Sequence, residues 1–320
     1  MILAADIGGT HARLLLARLV DDGWRECHRQ VYPSRAFPTF EQLLDDFLPA
    51  GEPIQAACLG VAGPVLGQRV DITHLPWVLD GLALAARYRI PHLELANDFV
   101  VQAWALPGLP ADEQLCLQPG QPEPGGVQLL VGAGTGLGIA QCAGRGRQAQ
   151  VIASEGGHAD FAPHGLRQHA LQGWLLARLG KATLENVLSG PGLEQVYAFV
   201  CHERGLPSAP LAAAAVTAAA EAGDAVALDA IGLFVECYGS TAGNLALMCL
   251  PTGGVFLTGG IAPKLARWLQ DGRFLAAFHD KALKRDLMPH FPIHIVLNDQ
   301  LGLIGAAERA CALAKGEVSL

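Results

Sequence analysis

Two turns rich in glycine dominate this sequence, and each comes directly after a short apolar strand pattern. The first turn, 6–10 (DIGGT), follows the apolar run that begins at Ile2, and the second, 132–138 (GAGTGLG), follows the run 127–131. Glycine lets backbone N–H groups approach phosphate oxygens without a Cβ in the way, and a neighbouring threonine adds a hydroxyl donor. The pair of turns therefore predicts two phosphate-binding loops in a protein that uses a nucleotide.

The common mononucleotide and dinucleotide motifs do not match these turns. Neither turn is a G-x-x-x-x-G-K-[ST] motif, and neither contains a lysine. The second turn has no acidic residue at the ribose-binding position of a Rossmann unit, because Glu155 lies in a Gly-Gly-His turn instead. A third turn, Thr258-Gly259-Gly260, follows another apolar strand and is predicted to meet the nucleotide. The remaining interpretation is a cleft in which two lobes each offer a phosphate-binding turn.

Length and charge limit the possible architecture and partners. The chain has 320 residues, and this length exceeds the size at which a single hydrophobic core usually stops growing. Hydrophobic residues make up 51% of the chain, which is enough for two buried cores. We expect two α/β domains, a small one of residues 1–109 plus 299–320 and a large one of residues 110–298. The net charge is −8 and no basic run is present, so a nucleic acid is not an expected partner.

Cysteine usage and hydropathy favour a cytoplasmic protein. The eight cysteines are scattered without a C-x-x-C pair, as expected for buried thiols in a reducing compartment. The apolar start lacks a basic segment and is interrupted by Asp6, which does not fit a signal peptide. The uncharged window 237–263 contains Gly239, Gly243, Asn244 and Pro251, which we expect to interrupt any membrane-spanning helix. No membrane partner is predicted.

The periodicity of apolar residues predicts alternating strands and helices. A strand–turn–strand pattern covers 2–19 and restarts at Val127, which indicates an internal duplication. Further predicted strands are 56–61, 93–96, 255–257 and 293–297. Predicted helices are 39–48, 81–89, 167–179, 193–202, 212–222, 225–250 and 301–315, of which 225–250 should be largely buried and 301–315 should pack on the first lobe. The stretch 118–126 is rich in proline and glycine and predicts a surface loop.

The order of motifs resembles that of the ATP-dependent bacterial glucokinases, which belong to the hexokinase, Hsp70 and actin superfamily. The resemblance covers nearly the whole chain and rests on six blocks: 6–10 (DIGGT), 97–99 (NDF), 132–138 (GAGTGLG), 155–161 (EGGHADF), 188–192 (LSGPG) and 257–261 (LTGGI). It implies two ribonuclease-H-like α/β lobes, with sugar and MgATP meeting in the cleft between them, and a homodimer.

The resemblance assigns roles to the polar residues of these blocks. It implies that Asp98 is the base that accepts the proton of the sugar hydroxyl, whereas the residues alone favour a turn or helix cap at this position. It implies that Asn97, Glu155, His158 and Glu185 bind the hydroxyls of glucose. Without it, Glu155 and His158 could make a local hydrogen bond or bind a metal, and Glu185 would be a solvated helix charge.

The two glycine turns and Asp6 are assigned to ATP. Gly8, Gly9 and Thr10 on one lobe, with Gly134, Thr135 and Gly136 on the other, are predicted to hold the phosphates. Gly259 and Gly260 complete the predicted ATP site. Asp6 is predicted to orient Mg²⁺ through water, because Mg²⁺ keeps most of its hydration shell in proteins; the alternative is a turn aspartate that caps the glycine backbone.

Two residues depart from the pattern of this family. His11 and His74 stand where asparagine is usual, and a neutral histidine offers only one hydrogen-bond donor. We assign neither of them a catalytic role.

Three other functions remain as hypotheses beside phosphorylation of the glucose 6-hydroxyl. A kinase for another hexose, such as mannose or fructose, would be separated by kcat/KM across a panel of sugars. A non-enzymatic sugar sensor on the same fold would be expected to carry a DNA-binding segment ahead of the first turn, and the turn begins at Asp6. An ATPase of the Hsp70 or actin type would release ADP without sugar.

Overall fold

The chain forms two compact units in the computed structural model, which describes residues 1–49, 51–63, 65, 67–72, 75–207 and 210–318. The first unit contains Met1–Leu109, Cys142–Ala153 and the residues from Gln300 on, and the second contains Pro110–Gln141 and Ser154–Asp299. The predicted division left 142–153 with the large domain. The structure joins this segment to the first unit because Arg147 donates hydrogen bonds to Glu308 Oε2 (3.0 Å) and to the carbonyl of Asp22 (2.6 Å).

The first unit is built around a five-stranded sheet in the described residues. Its elements are β1 (Ile2–Ile7), β2 (His11–Val20), β3 (Gly23–Pro33), α1 (Phe40–Phe47), β4 (Ala56–Val61), β5 (Arg69–Asp71), β6 (Val78–Asp80), α2 (Gly81–Tyr88), β7 (His92–Asn97), α3 (Asp98–Ala105) and, much later in the chain, α10 (Leu301–Lys315). The strand order of the sheet is β3-β2-β1-β4-β7. Strand β1 is antiparallel to β2 and parallel to β4, and β4 is parallel to β7.

Strand β1 is buried on both faces of this sheet. Because successive side chains of a strand point to opposite faces, Leu3 joins the apolar cluster that contains Phe40 of α1, whereas Ile2 joins the cluster that contains Leu303 of α10. A strand covered on both faces has a continuous apolar sequence, which is why 2–7 could be recognised without alternation. The expectation that 301–315 packs on the first lobe is confirmed.

The second unit is built around a six-stranded sheet in the described residues. The elements of this part of the chain are β8 (Gln114–Gln118), β9 (Gln128–Ala133), β10 (Leu137–Ala143), β11 (Gln150–Ser154), α4 (Gly165–Leu179), α5 (Gly190–Glu203), α6 (Ala213–Glu221), α7 (Ala225–Cys249), β12 (Gly254–Thr258), α8 (Ala266–Leu269), α9 (Arg273–His279) and β13 (Ile293–Val296). The strand order of the sheet is β11-β10-β9-β12-β13-β8. The order β11-β10-β9-β12-β13 repeats the order β3-β2-β1-β4-β7, so the predicted duplication is confirmed at the level of strand order.

Helix α7 is the central helix of the second unit. It is long and apolar enough to span a membrane by length and composition, but 72% of its most apolar window is buried inside the protein. The predicted, largely buried helix over 225–250 is confirmed as Ala225–Cys249. Gly239, Gly243 and Asn244 do not interrupt it, contrary to the expectation for the window 237–263, and the helix ends before Pro251. A Cβ at Gly239 would lie 2.2 Å from the carbonyl oxygen of Phe274, so glycine here permits close packing against α9.

Candidate active site

The predicted site residues of the first unit lie at one edge of its sheet. Ile7, Val61 and Asn97 are the last residues of β1, β4 and β7, and they are in register across the parallel ladder. Neighbouring strands are about 4.8 Å apart, so the ends of β1 and β7 are separated by roughly 10 Å. The first glycine turn and the Asn97–Asp98 pair therefore share the carboxyl-terminal edge, where ligands of α/β sheets bind.

The first glycine turn is held by its backbone and by one buried serine. The N–H of Gly8 donates to the carbonyl of His11 (2.9 Å), and the Ser34 hydroxyl donates to the carbonyl of Gly8 (2.8 Å). The N–H of Ser34 also donates to the carbonyl of Thr10 (2.9 Å). The side chains of Thr10 and His11 are exposed, while Gly9 is partly exposed. The turn is thus fixed by contacts that leave the Thr10 hydroxyl at the surface.

Asp6 lies opposite Arg13 in the β1–β2 ladder. Arg13 Nη1 donates to Asp6 Oδ2 at 3.4 Å, and a Cβ at Gly302, in the first turn of α10, would lie 3.1 Å from Asp6 Cγ. Burial raises the pKa of Asp6, and the charge and hydrogen bond of Arg13 act in the opposite direction. Arg13 is therefore the group that favours an ionised Asp6.

The described side chains around Asp6 do not form a site that binds a metal ion through protein ligands alone. Over the described residues there is no group of three or more His, Cys, Asp or Glu side chains that could hold a metal ion. Asp6 supplies one carboxylate, already paired with Arg13. A single carboxylate acting through water fits Mg²⁺, which is commonly bound through one or two carboxylates together with substrate phosphates.

Asn97 and Asp98 form the start of helix α3. Asn97 is the N-cap: its Oδ1 accepts a hydrogen bond from the N–H of Phe99 (2.9 Å), and its Nδ2 donates to the carbonyl of Gly63 (3.2 Å). Asp98 is half-buried in the first helical turn, where the helix dipole stabilises negative charge. The cap that the residues alone favoured is thus observed at Asn97, and it fixes where Asp98 begins the helix.

The second glycine turn is held by the start of helix α5. The N–H of Gly134 donates to the carbonyl of Gly136 (2.8 Å), and the N–H of Gly190 donates to the carbonyl of Gly134 (2.7 Å). The Thr135 side chain is exposed. Like the first turn, the second offers a threonine at the surface of a fixed backbone.

Gly259 and Gly260 adjoin the second turn. Thr258 is paired with Gly132 in the β12–β9 ladder, so the residues that follow both strands lie side by side. Gly259 has a φ of +80°, and a Cβ there would lie 2.3 Å from the carbonyl oxygen of Ala133. Only glycine fits this backbone conformation and this close approach.

Glu155, His158 and Glu185 come together in the second unit. His158 Nε2 lies 3.9 Å from Glu155 Oε2, and His158 Nδ1 lies 4.0 Å from Glu185 Oε1. The side chains of Glu155, His158 and Glu185 are 69%, 65% and 32% exposed. Both distances exceed that of a direct hydrogen bond. One histidine between two carboxylates offers donors and acceptors to a ligand rich in hydroxyl groups.

This cluster is in direct contact with the second glycine turn. Glu185 Oε2 accepts a hydrogen bond from the N–H of Leu137 (2.9 Å), the residue that follows Gly136. A Cβ at Gly157 would lie 1.9 Å from the carbonyl oxygen of Leu137, so the Gly156–His158 segment packs on the backbone of the same residue. Glu185 lies in a turn and not in a helix, so the reading as a solvated helix charge is wrong.

Sequence reasoning missed three residues that hold this arrangement. Arg13 pairs with Asp6, Ser34 donates a hydrogen bond to the backbone of the first turn, and Ser189 caps helix α5 of the second unit. The Ser189 hydroxyl accepts from the N–H of Gly192 (2.9 Å) as the N-cap of α5 and donates to the carbonyl of Glu185 (2.7 Å). A serine just before a Gly-Pro pair is a readable N-cap signal, and Arg13 faces Asp6 once the hairpin register is assigned.

The structure thus groups the predicted residues within each unit. Asp6, Gly8, Gly9, Thr10, Asn97 and Asp98 belong to the first unit, and Gly134, Thr135, Gly136, Glu155, His158, Glu185, Gly259 and Gly260 belong to the second. His74 lies outside the described residues.

Comparison with known proteins agrees with this arrangement. The family model named Glucokinase matches residues 3–313. The chain belongs to the glucokinase family. A curated glucokinase from Nostoc punctiforme is 37% identical over 98% of this chain and 99% of its own length.

Solved glucokinase structures share the fold. A glucokinase from an Antarctic psychrotroph superimposes with a TM-score of 0.88 at 30% identity, covering 97% of this chain and 98% of that chain. A ROK family glucokinase from Streptomyces griseus, solved with glucose and AMPPNP, has a TM-score of 0.64 at 21% identity over 97% and 98% of the two chains. The predicted membership in the glucokinase family and the predicted fold class, the actin-like ATPase fold of sugar kinases, are therefore confirmed.

Proposed function

We propose that this protein is an ATP-dependent glucokinase. It transfers the γ-phosphoryl group of ATP to the 6-hydroxyl of D-glucose, giving glucose 6-phosphate and ADP. Membership in the glucokinase family over residues 3–313 supports this. The structural observation that carries the proposal is the contact of Glu185 with Leu137, since it joins a carboxylate suited to sugar hydroxyls to a phosphate-type glycine turn.

Glucose is bound by Asn97, Asp98, Glu155, His158 and Glu185. Carboxylates accept hydrogen bonds from sugar hydroxyls, while His158 can donate to a hydroxyl oxygen. The spacings of 3.9 and 4.0 Å around His158 leave its ring nitrogens available to a ligand in the second unit. A site with several polar partners discriminates among sugars that differ in one hydroxyl, because a missing partner leaves a polar group unpaired.

Asp98 accepts the proton of the 6-hydroxyl during the transfer. The bond between this oxygen and the γ-phosphorus forms, the bond between that phosphorus and the β,γ-bridging oxygen breaks, and ADP leaves. A carboxylate within hydrogen-bond reach of the attacking hydroxyl is the arrangement that general base catalysis needs. The cap that Asn97 provides fixes the start of α3 and hence the position of Asp98.

The phosphates are held by backbone N–H groups and threonine hydroxyls. The phosphates lie against Gly8, Gly9 and Thr10 of the first turn and Gly134, Thr135 and Gly136 of the second, with Gly259 and Gly260 beside the latter. The N–H groups of Gly8 and Gly134 donate within their own turns, so the N–H groups and hydroxyls that follow them are the donors to phosphate. Mg²⁺ supplies charge neutralisation at the phosphates when it is bound. Asp6 would orient this ion through water, and the charge of Arg13 opposes the rise in the pKa of Asp6 that burial causes.

The proposal includes a cytoplasmic location and a homodimer. All eight cysteines, which lie in the described part of the chain, are free thiols, as expected in a reducing compartment. The homodimer is inferred from the resemblance of the motif blocks. Light scattering on the purified protein measures the oligomeric state directly.

A coupled assay of ADP release tests the function. Purified protein is given ATP and Mg²⁺ with glucose, mannose, fructose or no sugar. We expect the highest kcat/KM with glucose and negligible release without sugar. A higher kcat/KM with another hexose would change the substrate, sugar-independent release would indicate an ATPase, and glucose binding without turnover would indicate a sensor.

A further inference from the structure

The two oxygens of Glu185 face two different parts of the second unit. Oε2 accepts a hydrogen bond from the N–H of Leu137, at the exit of the second glycine turn. Oε1 faces His158 Nδ1 at 4.0 Å, among the residues proposed to bind glucose. The backbone of Glu185 is fixed as well, because its N–H donates to the carbonyl of Gly157 and its carbonyl accepts from Ser189. Both oxygens belong to one rigid carboxylate, so a ligand on Oε1 also restrains Oε2.

We propose that Glu185 links the occupancy of the sugar site to the conformation of the second glycine turn, so that glucose and nucleotide raise each other's affinity. This inference rests on the proposed function and adds a coupling that the chemistry alone does not require. A glucose hydroxyl donating to Oε1 holds the carboxylate in place, and Oε2 then holds the Leu137 peptide. The turn is thereby kept in the conformation that presents its N–H groups to phosphate. Linkage requires the effect to be reciprocal and equal in size for the two ligands.

Gly136 provides a substitution that disturbs this link without removing a charge. A Cβ at Gly136 would lie 2.5 Å from Glu185 Oε2, the far end of a flexible side chain. The carboxylate, and not the backbone, is therefore the group that must move, so we expect Gly136→Ala to fold. At Gly134, two residues earlier in the same turn, an added Cβ meets nothing within 4 Å. Gly134→Ala is thus the matched variant within the turn, and Gly173→Ala on the exposed face of α4 is the control away from it.

The experiment measures glucose affinity in the absence of nucleotide by calorimetry. We expect Gly136→Ala to raise the Kd of glucose about tenfold, which is the effect of losing one well-placed charged contact. We expect Gly134→Ala and Gly173→Ala to stay within about twofold of wild type. In wild type, the Kd of AMPPNP should fall about fivefold or more when glucose is present, and Gly136→Ala should lose this dependence.

Hydrogen exchange on the unmodified protein gives a second readout. We expect glucose alone to slow exchange of the Leu137 amide, because the sugar holds the acceptor of that N–H. An unchanged exchange rate at Leu137 in protein saturated with glucose would overturn the inference. The same holds if Gly136→Ala and Gly134→Ala affect glucose equally. In either case wild-type turnover of glucose leaves the proposed function intact, whereas a wild type that neither binds nor phosphorylates glucose overturns both.

Discussion

The two units share a strand order and a glycine turn but hold their acidic groups in different ways. In the first unit, Asp6 lies on the strand that leads into the turn and is paired with a cation, Arg13. In the second, Glu185 lies about 50 residues after the turn in sequence and is held by a backbone N–H, that of Leu137. The repeated sheet therefore supplies the position of a turn in both units, while the acidic group comes from the strand itself in the first unit and from a later turn in the second.

The difference has a physical consequence for each turn. In the first unit, burial raises the pKa of Asp6 and the charge of Arg13 lowers it, so the ionisation state of Asp6 depends on this balance. A backbone donor in the second unit makes the position of Glu185 dependent on the shape of the turn itself. The first turn is thus described mainly by electrostatics and the second mainly by geometry.

The largest expected effect is on kcat, and it tests whether the first unit supplies the catalytic base. We expect Asp98→Asn to lower kcat by about 10²-fold or more, since general base catalysis contributes that much, while the Kd of glucose changes only a few-fold. Turnover is measured in the coupled assay and binding by calorimetry. Asp112→Asn, at an exposed position of the second unit, is the control and should retain wild-type kcat. Near-normal turnover of Asp98→Asn would contradict the assignment of Asp98 as the catalytic base.

The next largest effect is on stability, and it tests whether the backbone around the second turn is packed more tightly than the backbone of the first turn. Gly259→Ala combines a φ of +80° with a contact of 2.3 Å to the carbonyl of Ala133, and we expect it to lower the free energy of unfolding by about 2–4 kcal/mol. Gly8→Ala, whose Cβ would lie 3.4 Å from the His11 carbonyl, should cost less than about 1 kcal/mol. Chemical denaturation measures both. The control is Gly260→Ala, which meets nothing within 4 Å, and equal losses at 259 and 260 would contradict the geometric argument.

A smaller effect tests the electrostatic description of the first turn. Asp6 has a raised pKa in the folded protein, so stability is lost as the pH rises through that pKa, and Arg13 limits the loss. Arg13→Gln removes the compensation, and we expect it to be about 1 kcal/mol less stable relative to wild type at pH 7 than at pH 4. Urea denaturation at the two pH values measures the difference. Arg18→Gln, at an exposed position on the same strand, should show no such dependence.

The smallest effect compares two helix caps. Ser189→Ala should destabilise the protein by about 1 kcal/mol through loss of the α5 cap, and Asp80→Ala should do the same through loss of the α2 cap. Only Ser189 also donates to the carbonyl of Glu185, so we expect the KM of glucose to rise a few-fold in Ser189→Ala and to stay unchanged in Asp80→Ala. A rise in both variants would show that general loss of stability is the cause.

The sequence predicted the elements whose burial pattern is simple. The predicted buried strand 56–61 is confirmed, and the predicted amphipathic helix 39–48 is confirmed as Phe40–Phe47. A continuous apolar run and an apolar helix face are both visible in the sequence itself. Strand β3 was not predicted, since most of its residues are exposed at the sheet edge and carry no apolar signal. Helix α3 was also missed, because eight residues that are mostly apolar on every side show no face.

The site was predicted only as far as its residues fall in contiguous motifs. The turns, the Asn97–Asp98 pair and the Glu155–His158 pair are local patterns, and the resemblance to glucokinases supplied their roles. The bond from Leu137 to Glu185 spans 48 positions, and no local pattern indicates it. The predicted catalytic and binding roles of these residues stay predictions until the variants are measured.

The position of α10 constrains the order in which the chain can fold during synthesis. Its residues Leu303, Ala306 and Ala307 complete the apolar cluster that contains Ile2 and Ala4 of β1, yet they are made after every residue of the second unit. At the usual rate of translation the start of the chain waits roughly 15–60 s for this partner. We therefore expect released chains truncated after Gln300 to be cleaved readily by protease within β1–β4, and the 320-residue chain to resist.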